Sequence, residues 1–248
     1  MELRHTHRLF IDAALAHNLT LQPDVGQTHY LQNVLRLKTG DVVRLFNGRD
    51  GEWKASVAAV AKRSITLALH KQTRPQQATP DLWLCCAPIK KAHFDTMIEK
   101  ATELGVTVIQ PVLTARTQIR EVNTDRCRAI AIEAAEQSDR LTIPDIRKPV
   151  TLDDMSTHWP AERQLVVCAE WGDADPIGNV FAGSREEAQK PTAILTGPEG
   201  GFAAEELETV RRLATARFVR LGPRILRADT AAIAALSCWQ AMCGDWKD

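Results

Sequence analysis

From residue 80 onward the chain alternates between short apolar runs and amphipathic stretches, and this alternation narrows the possible folds more than any other feature. Leu82-Trp-Leu-Cys-Cys-Ala reads as a strand, and about Ala92 to Leu104 as a helix closed by Gly105. Val106 to Leu113 is the next strand, followed by a helix around Arg126 to Gln137. Further strands are expected at Gln164-Leu-Val-Val-Cys, Ala193-Ile-Leu-Thr and Phe218-Val-Arg-Leu, with helices at Ala203 to Ala214 and from Thr230 onward. The pattern predicts an α/β domain with a mostly parallel sheet covered by helices. In open sheets of this kind a ligand sits in loops leaving the carboxyl ends of the strands.

The first part of the chain follows a different pattern. Thr73-Arg-Pro-Gln-Gln-Ala-Thr-Pro80 has two prolines and no apolar residue larger than alanine, which marks a junction between domains 1–75 and 76–248. Upstream of it, His7-Arg-Leu-Phe-Ile, Asp41-Val-Val-Arg-Leu-Phe, Glu52-Trp-Lys-Ala-Ser-Val and Ser64-Ile-Thr-Leu-Ala-Leu read as strands of a small β-barrel. Asn47-Gly-Arg-Asp-Gly51 reads as a hairpin turn. One helix, through His29-Tyr-Leu-Gln-Asn-Val-Leu-Arg36, would keep Tyr30, Leu31, Val34 and Leu35 on one face, with His29 and Arg36 off it. Residues 1–80 hold eleven Lys/Arg against six Asp/Glu, and the rest twenty against twenty-five, so the barrel is the part suited to a polyanion.

Composition removes several classes of protein. With 44% hydrophobic and 25% charged residues, the chain has the balance of a folded domain and not of a disordered one. Met1-Glu-Leu-Arg-His-Thr-His-Arg has charge where a secretory leader needs an apolar run, and no later stretch reaches the length of a membrane span; a cytoplasmic location is expected. The six cysteines lack paired metal-ligand spacing, so burial is expected for them and a metal site is not.

The chemistry is expected in two loops. Thr196-Gly-Pro-Glu-Gly-Gly-Phe202 lies between a strand and a helix, and its glycines permit a close backbone approach to a ligand. It is neither a Gly-x-Gly-x-x-Gly nor a Gly-Lys-Ser/Thr signature, which argues against NAD and ATP. Leu221-Gly-Pro-Arg-Ile-Leu-Arg-Ala-Asp-Thr230 is a second loop of the same kind, with Asp229 or Thr230 as the expected helix cap. From Arg211 to Arg227 there are six arginines and no acid, which favours a phosphate-bearing substrate such as RNA.

Together these two loops closely resemble the paired loops of SPOUT RNA methyltransferases, most nearly the ribosomal RNA small subunit methyltransferase E family. Four more segments match that pattern in order: His29 to Arg36, Phe46 to Trp53, Lys90 to Gly105, and Glu133 to Ser138. Thr196 and Asp229 depart from it, standing where an aliphatic residue or glycine and a glutamate are expected.

The resemblance implies a PUA-like amino-terminal barrel, a C-terminal SPOUT domain with a trefoil knot, a homodimer, and methylation of N3 of a uridine in 16S rRNA within the small subunit. The alanine-rich stretch Ala231 to Leu236 would suit close packing in such a dimer. The resemblance also implies that S-adenosylmethionine is held by Thr196, Gly197, Glu199, Gly200, Leu221, Gly222, Pro223, Ile225, Leu226 and Thr230. Glu170, just after Leu165-Val-Val-Cys-Ala, is a candidate third lip of the same pocket because it also ends a strand. Arg227 is the candidate stabiliser of the uridine anion and Glu199 the candidate proton acceptor, while Arg8, His29, Arg36, Lys90, Arg116 and Arg224 are candidates for RNA contact. Two alternatives stay open at this point, an inactive RNA-binding assembly factor on the same fold and an unrelated α/β enzyme with another small ligand. Cofactor binding separates them.

Overall fold

A computed structural model describes residues 6–169, 173–182 and 190–247. The chain forms two compact units, one made of residues up to Ala78 together with Ala135–Thr142, the other of Thr79–Ala134 and the residues from Ile143 on.

In the first unit β1 (Arg8–Phe10), β2 (Thr20–Leu21), β3 (Val42–Phe46), β4 (Glu52–Ala61) and β5 (Ser64–Arg74) form one sheet in the order β1-β3-β4-β5-β2. Alternate residues of β5, namely Ile65, Leu67 and Leu69, point into a core shared with Val43, Leu45, Ala55 and Val57, as a two-residue period requires. The turn between β3 and β4 is set by Asn47, whose Oδ1 accepts from the backbone N–H of Arg49 at 2.9 Å and of Asp50 at 2.8 Å.

The helix begins earlier than its apolar spacing predicts, because Asp24 and Gln27 form a reciprocal cap at the start of α1 (Val25–His29). It then widens into a single π-helical turn over Tyr30–Val34, with the Leu35 N–H donating to the Tyr30 carbonyl at 3.0 Å. The expected common face is therefore not formed. Leu31 enters the core and Leu35 packs partly against it, whereas Tyr30 and Val34 are 36% and 58% exposed.

Arg8 is a second correction. Its side chain is buried, with Nε donating to Glu52 Oε2 at 2.9 Å, Nη1 to the Ala135 carbonyl at 2.6 Å and Nη2 to the Arg140 carbonyl at 2.7 Å. All its nitrogens serve the unit itself, so Arg8 does not face RNA. The same bonds explain why residues 135–142, which include the end of α3 (Thr124–Gln137), pack with the first unit.

The second unit holds β6 (Leu82–Cys86), β7 (Val108–Leu113), β8 (Asp145–Ile146), β9 (Val150–Thr151), β10 (Gln164–Cys168), β11 (Asp175–Pro176), β12 (Thr192–Thr196) and β13 (Ala216–Arg220). The order is β11-β13-β10-β12-β6-β7-β8, with β9 beside β7 and every pairing parallel. Successive residues of its central strands alternate between two apolar clusters, Val166 and Ile194 on one face, Leu165, Val167, Ala193 and Leu195 on the other. A parallel sheet needs both faces covered. One is covered by α2 (Lys91–Glu103) and α7 (Ala228–Met242), the other by α4 (Leu152–Thr157) and α6 (Ala204–Arg211); α5 (Ile177–Phe181) adds Ile177 and Phe181 to the first.

Ala232 and Ala235 of α7 are completely buried in the cluster shared with α2, so these two alanines are used within the chain and not in a dimer contact. The α7 cap is Arg227, while Asp229 and Thr230 lie inside the first turn, contrary to the expected capping role. Cys85, Cys86 and Cys127 are buried, and all six thiols are free. Burial pushes the Cys168 thiol up to about 12, which suits an inert packing role.

Candidate active site

The loops after β12 and β13 flank the end of β10 because β10 lies between those two strands. Together they enclose a cavity of about 640 Å³, within the range of small-ligand pockets. Its wall contains Thr196, Gly197, Glu199, Gly200, Leu221, Gly222, Pro223, Ile225, Leu226 and Arg227, so the two loops form one site. Cys168, Ala169, Phe202, Leu207, Ala228 and Ala231 complete much of the rest, and these were not apparent from loop composition. Thr230 is not part of the wall; Ala231 occupies that side of the helix instead. Glu170 lies outside the described residues.

Several local features suit a bound ligand. Thr196 ends β12 with a buried Oγ1 that has no hydrogen-bond partner, an arrangement that costs roughly 1–3 kcal/mol unless something satisfies it. Gly222 has φ +99° and nothing within 4 Å of where a β-carbon would stand, so glycine there is required by backbone conformation and leaves open space beside it. Ile225 is 68% exposed, an apolar side chain on the wall of the cavity.

The first loop is held from outside. Glu206 accepts from the Ala203 N–H at 2.8 Å with one oxygen and from the Ala115 N–H at 2.6 Å with the other. Arg116 Nη1 donates to the Gly200 carbonyl at 2.7 Å, and the Lys90 N–H donates to Glu199 Oε1 at 3.4 Å. Arg116 thus lies on the cavity wall fastened to the glycine loop, whereas Lys90 touches the site through its backbone. On the other side His93 Nδ1 and Asp229 Oδ2 pair at 2.9 Å, tying the first turn of α7 to α2.

The wall carries four arginines, Arg116, Arg220, Arg224 and Arg227, against the single carboxylate of Glu199 among the described residues. An apolar cavity with a cationic wall can take a compact organic ligand inside and a polyanion at its mouth. His29 and Arg36 are exposed on the first unit. Among the described residues no group of three or more His, Cys, Asp or Glu side chains is placed to hold a metal, and no helix is long and apolar enough to cross a membrane.

Comparison with known proteins agrees with this arrangement. Residues 76–240 match the family model of the RNA methyltransferase domain, and residues 23–69 that of the RNA methyltransferase PUA domain. The chain is 35% identical over 232 residues to the ribosomal RNA small subunit methyltransferase E of Rickettsia conorii, covering 93% of each protein. It is 32% identical over 237 residues to the enzyme of the same name from Synechocystis, covering 93% of this chain and 76% of that one. Among solved structures, ribosomal RNA small subunit methyltransferase E of Neisseria gonorrhoeae bound to S-adenosyl methionine aligns with a TM-score of 0.87 at 27% identity, over 98% of this chain and 100% of that one. A protein of Legionella pneumophila in complex with the bound cofactor SAM aligns with a TM-score of 0.84 at 28% identity, over 97% and 99% of the two chains.

Proposed function

The chain belongs to the ribosomal RNA small subunit methyltransferase E family, and from that premise we propose that it methylates N3 of a uridine in 16S rRNA, using S-adenosylmethionine. The observation that carries this reading is the single cavity into which both glycine-proline loops turn, in a fold whose relatives are solved with that cofactor. Gly197, Gly200, Gly222 and Pro223 would offer backbone groups, Leu221, Ile225 and Leu226 apolar contact, and Thr196 its unsatisfied hydroxyl. We extend the same reading to a trefoil knot in the second unit, a homodimer, and action on small subunits in the cytoplasm.

When bound, S-adenosylmethionine supplies a methyl group already activated by a sulfonium. The protein has two remaining tasks, to orient the uracil and to favour loss of its weakly acidic N3 proton. Arg227 stands on the cavity wall, where a guanidinium beside a uracil oxygen would stabilise the anion and lower the acidity barrier. Glu199, held by the Lys90 N–H, would accept the proton directly or through water. Arg116 and Arg224 would hold the flanking phosphates.

Two measurements test the proposal. Calorimetric titration of the full-length protein should show binding of S-adenosylmethionine and none of ATP. Mass spectrometry of 16S rRNA should show an N3-methyluridine in cells that make the protein and its absence in cells that do not. Identical modification in both strains, or a protein that ignores S-adenosylmethionine, would sink it.

A further inference from the structure

We propose that His93 is a positioning residue for methyl transfer: through Asp229 it fixes the start of α7, and with it Arg227, relative to Glu199. This rests on the reading of Arg227 as the stabiliser of the uridine anion and adds what holds it in register with the proton acceptor.

Glu199 and Arg227 come from different loops, one after β12 and one after β13, so neither loop by itself sets the spacing between them. The start of α2 touches both sides. Its Lys90 N–H donates to Glu199 Oε1 at 3.4 Å, and three residues on, His93 Nδ1 pairs with Asp229 Oδ2 at 2.9 Å. The Phe94 N–H closes this turn on the Lys90 carbonyl at 3.0 Å. Asp229 in turn is two residues from Arg227, with little slack between them. Arg227 caps α7, its carbonyl accepting from the Ala231 N–H at 2.8 Å, and the intervening Ala228 is buried in the core. A shift of Asp229 therefore carries the backbone of Arg227 with it.

The pair has no evident structural duty. α2 and α7 already meet in a buried cluster that includes Met97, Ile98 and Ala101 of one and Ala232, Ala235 and Leu236 of the other. The His93 and Asp229 side chains are 41% and 15% exposed, and a partly exposed pair adds little to such a contact. Asp95, the carboxylate nearest to His93 in sequence, is taken by Arg126, whose Nε donates at 3.1 Å and Nη2 at 2.6 Å. Asp229 is thus the carboxylate that His93 meets. Because Asp229 accepts, His93 carries a proton on Nδ1 and needs no charge to make the bond. What the bond fixes is orientation, and a displacement of about 1 Å can cost roughly a hundredfold in rate.

The test is single-turnover methyl transfer from labelled S-adenosylmethionine to small ribosomal subunits from cells that lack the protein. The urea midpoint and the calorimetric affinity for S-adenosylmethionine are followed beside it. His93→Ala should slow transfer about tenfold while both of those stay at the parental value. His93→Asn should restore most of the rate, because its amide nitrogen stands where Nδ1 does and donates in the same way. As pH rises and the uridine anion forms unaided, the deficit of His93→Ala should narrow as that of Arg227→Ala does. The double variant should be no slower than Arg227→Ala alone, since two residues acting through one group are not additive.

If His93→Ala turns over like the parent while Arg227→Ala is slow, the positioning role is wrong and the reading of Arg227 stands. Deficits that multiply in the double variant would mean that His93 acts on something other than Arg227, which also overturns the proposal. A slower rate matched by a lower urea midpoint and weaker cofactor binding would make the pair a staple of the fold, with the same consequence. Parental turnover by Arg227→Ala removes the underlying reading as well.

Discussion

In the first unit the Arg8 guanidinium is buried and all three of its nitrogens donate to Glu52 or to carbonyls of residues 135–140, whereas in the second unit Arg220, Arg224 and Arg227 stand exposed on the cavity wall. Both groups carry the same charge. The difference is whether the hydrogen-bonding capacity is used up. Arg8 and Arg44 converge on Glu52 at 2.9 and 3.4 Å, and burial pulls the Arg8 guanidinium below its ordinary pKa, so this charge holds strands together and has nothing left for a ligand. Arg224 and Arg227 have no carboxylate partner among the described residues and keep their donors free. A positive residue in a sequence points to RNA only once its partners are counted.

Breaking the buried side of this comparison should have the largest effect. Glu52 is 1% exposed and also accepts from Thr73 Oγ1 at 2.9 Å, so Glu52→Ala leaves the buried Arg8 and Arg44 guanidinium groups only the exposed carboxylate of Asp139, at 3.4 and 3.3 Å. The expected cost is about 3–5 kcal/mol of unfolding free energy, read from the urea midpoint at an unchanged slope. A loss below ~1 kcal/mol would mean that water reaches the pair and that it resembles a surface bridge.

The exposed side should behave in the opposite way. Arg227→Ala is expected to leave the urea midpoint and S-adenosylmethionine affinity nearly unchanged while cutting single-turnover methylation roughly a hundredfold, about 2.7 kcal/mol of barrier. Because the missing charge favours the uridine anion, activity should partly return as pH rises and the anion forms unaided. Wild-type turnover at neutral pH would remove Arg227 from the role.

The sequence made the site more legible than its supports. Glycine and proline between a strand and a helix are local signals, and both loops lie where that pattern places them, on one cavity. The helix cap expected at Asp229 or Thr230 falls at Arg227, because α7 starts at Ala228, two residues earlier than the polar side chains suggest. The π turn was illegible, since an i→i+5 bond leaves the same residues in the same order and changes only which of them face inward. The two-residue strands β8, β9 and β11 carry no periodicity to detect. The burial of Arg8 is not legible, since three of its four hydrogen-bond acceptors, the carbonyls of Ala135, Glu136 and Arg140, lie more than 120 positions away in sequence. The clamp of Glu206 on Ala115 spans 91 positions and is likewise invisible to spacing.

The smallest expected effect sharpens the comparison within the first unit, at a charge that neither faces a ligand nor pairs deep in the core. Asp50 sits in the β3–β4 turn, and its Oδ2 accepts from the Leu15 N–H at 2.9 Å and from Asn47 Nδ2 at 2.7 Å. Both bonds favour the ionised carboxylate, led by the one from Leu15, and hold its pKa below the usual value near 4. The folded state therefore binds this proton less readily than the unfolded chain does. Stability from Asp50 is fully present above the unfolded pKa and is lost as pH falls through the lower folded one. Asp50→Asn should cost on the order of 1 kcal/mol at pH 7. That gap from the parent should narrow as the solution is acidified below about pH 4. Urea melts of both proteins at a series of pH values would read it, and a gap that stays constant down to pH 2 would show that the Asp50 charge does not hold this turn.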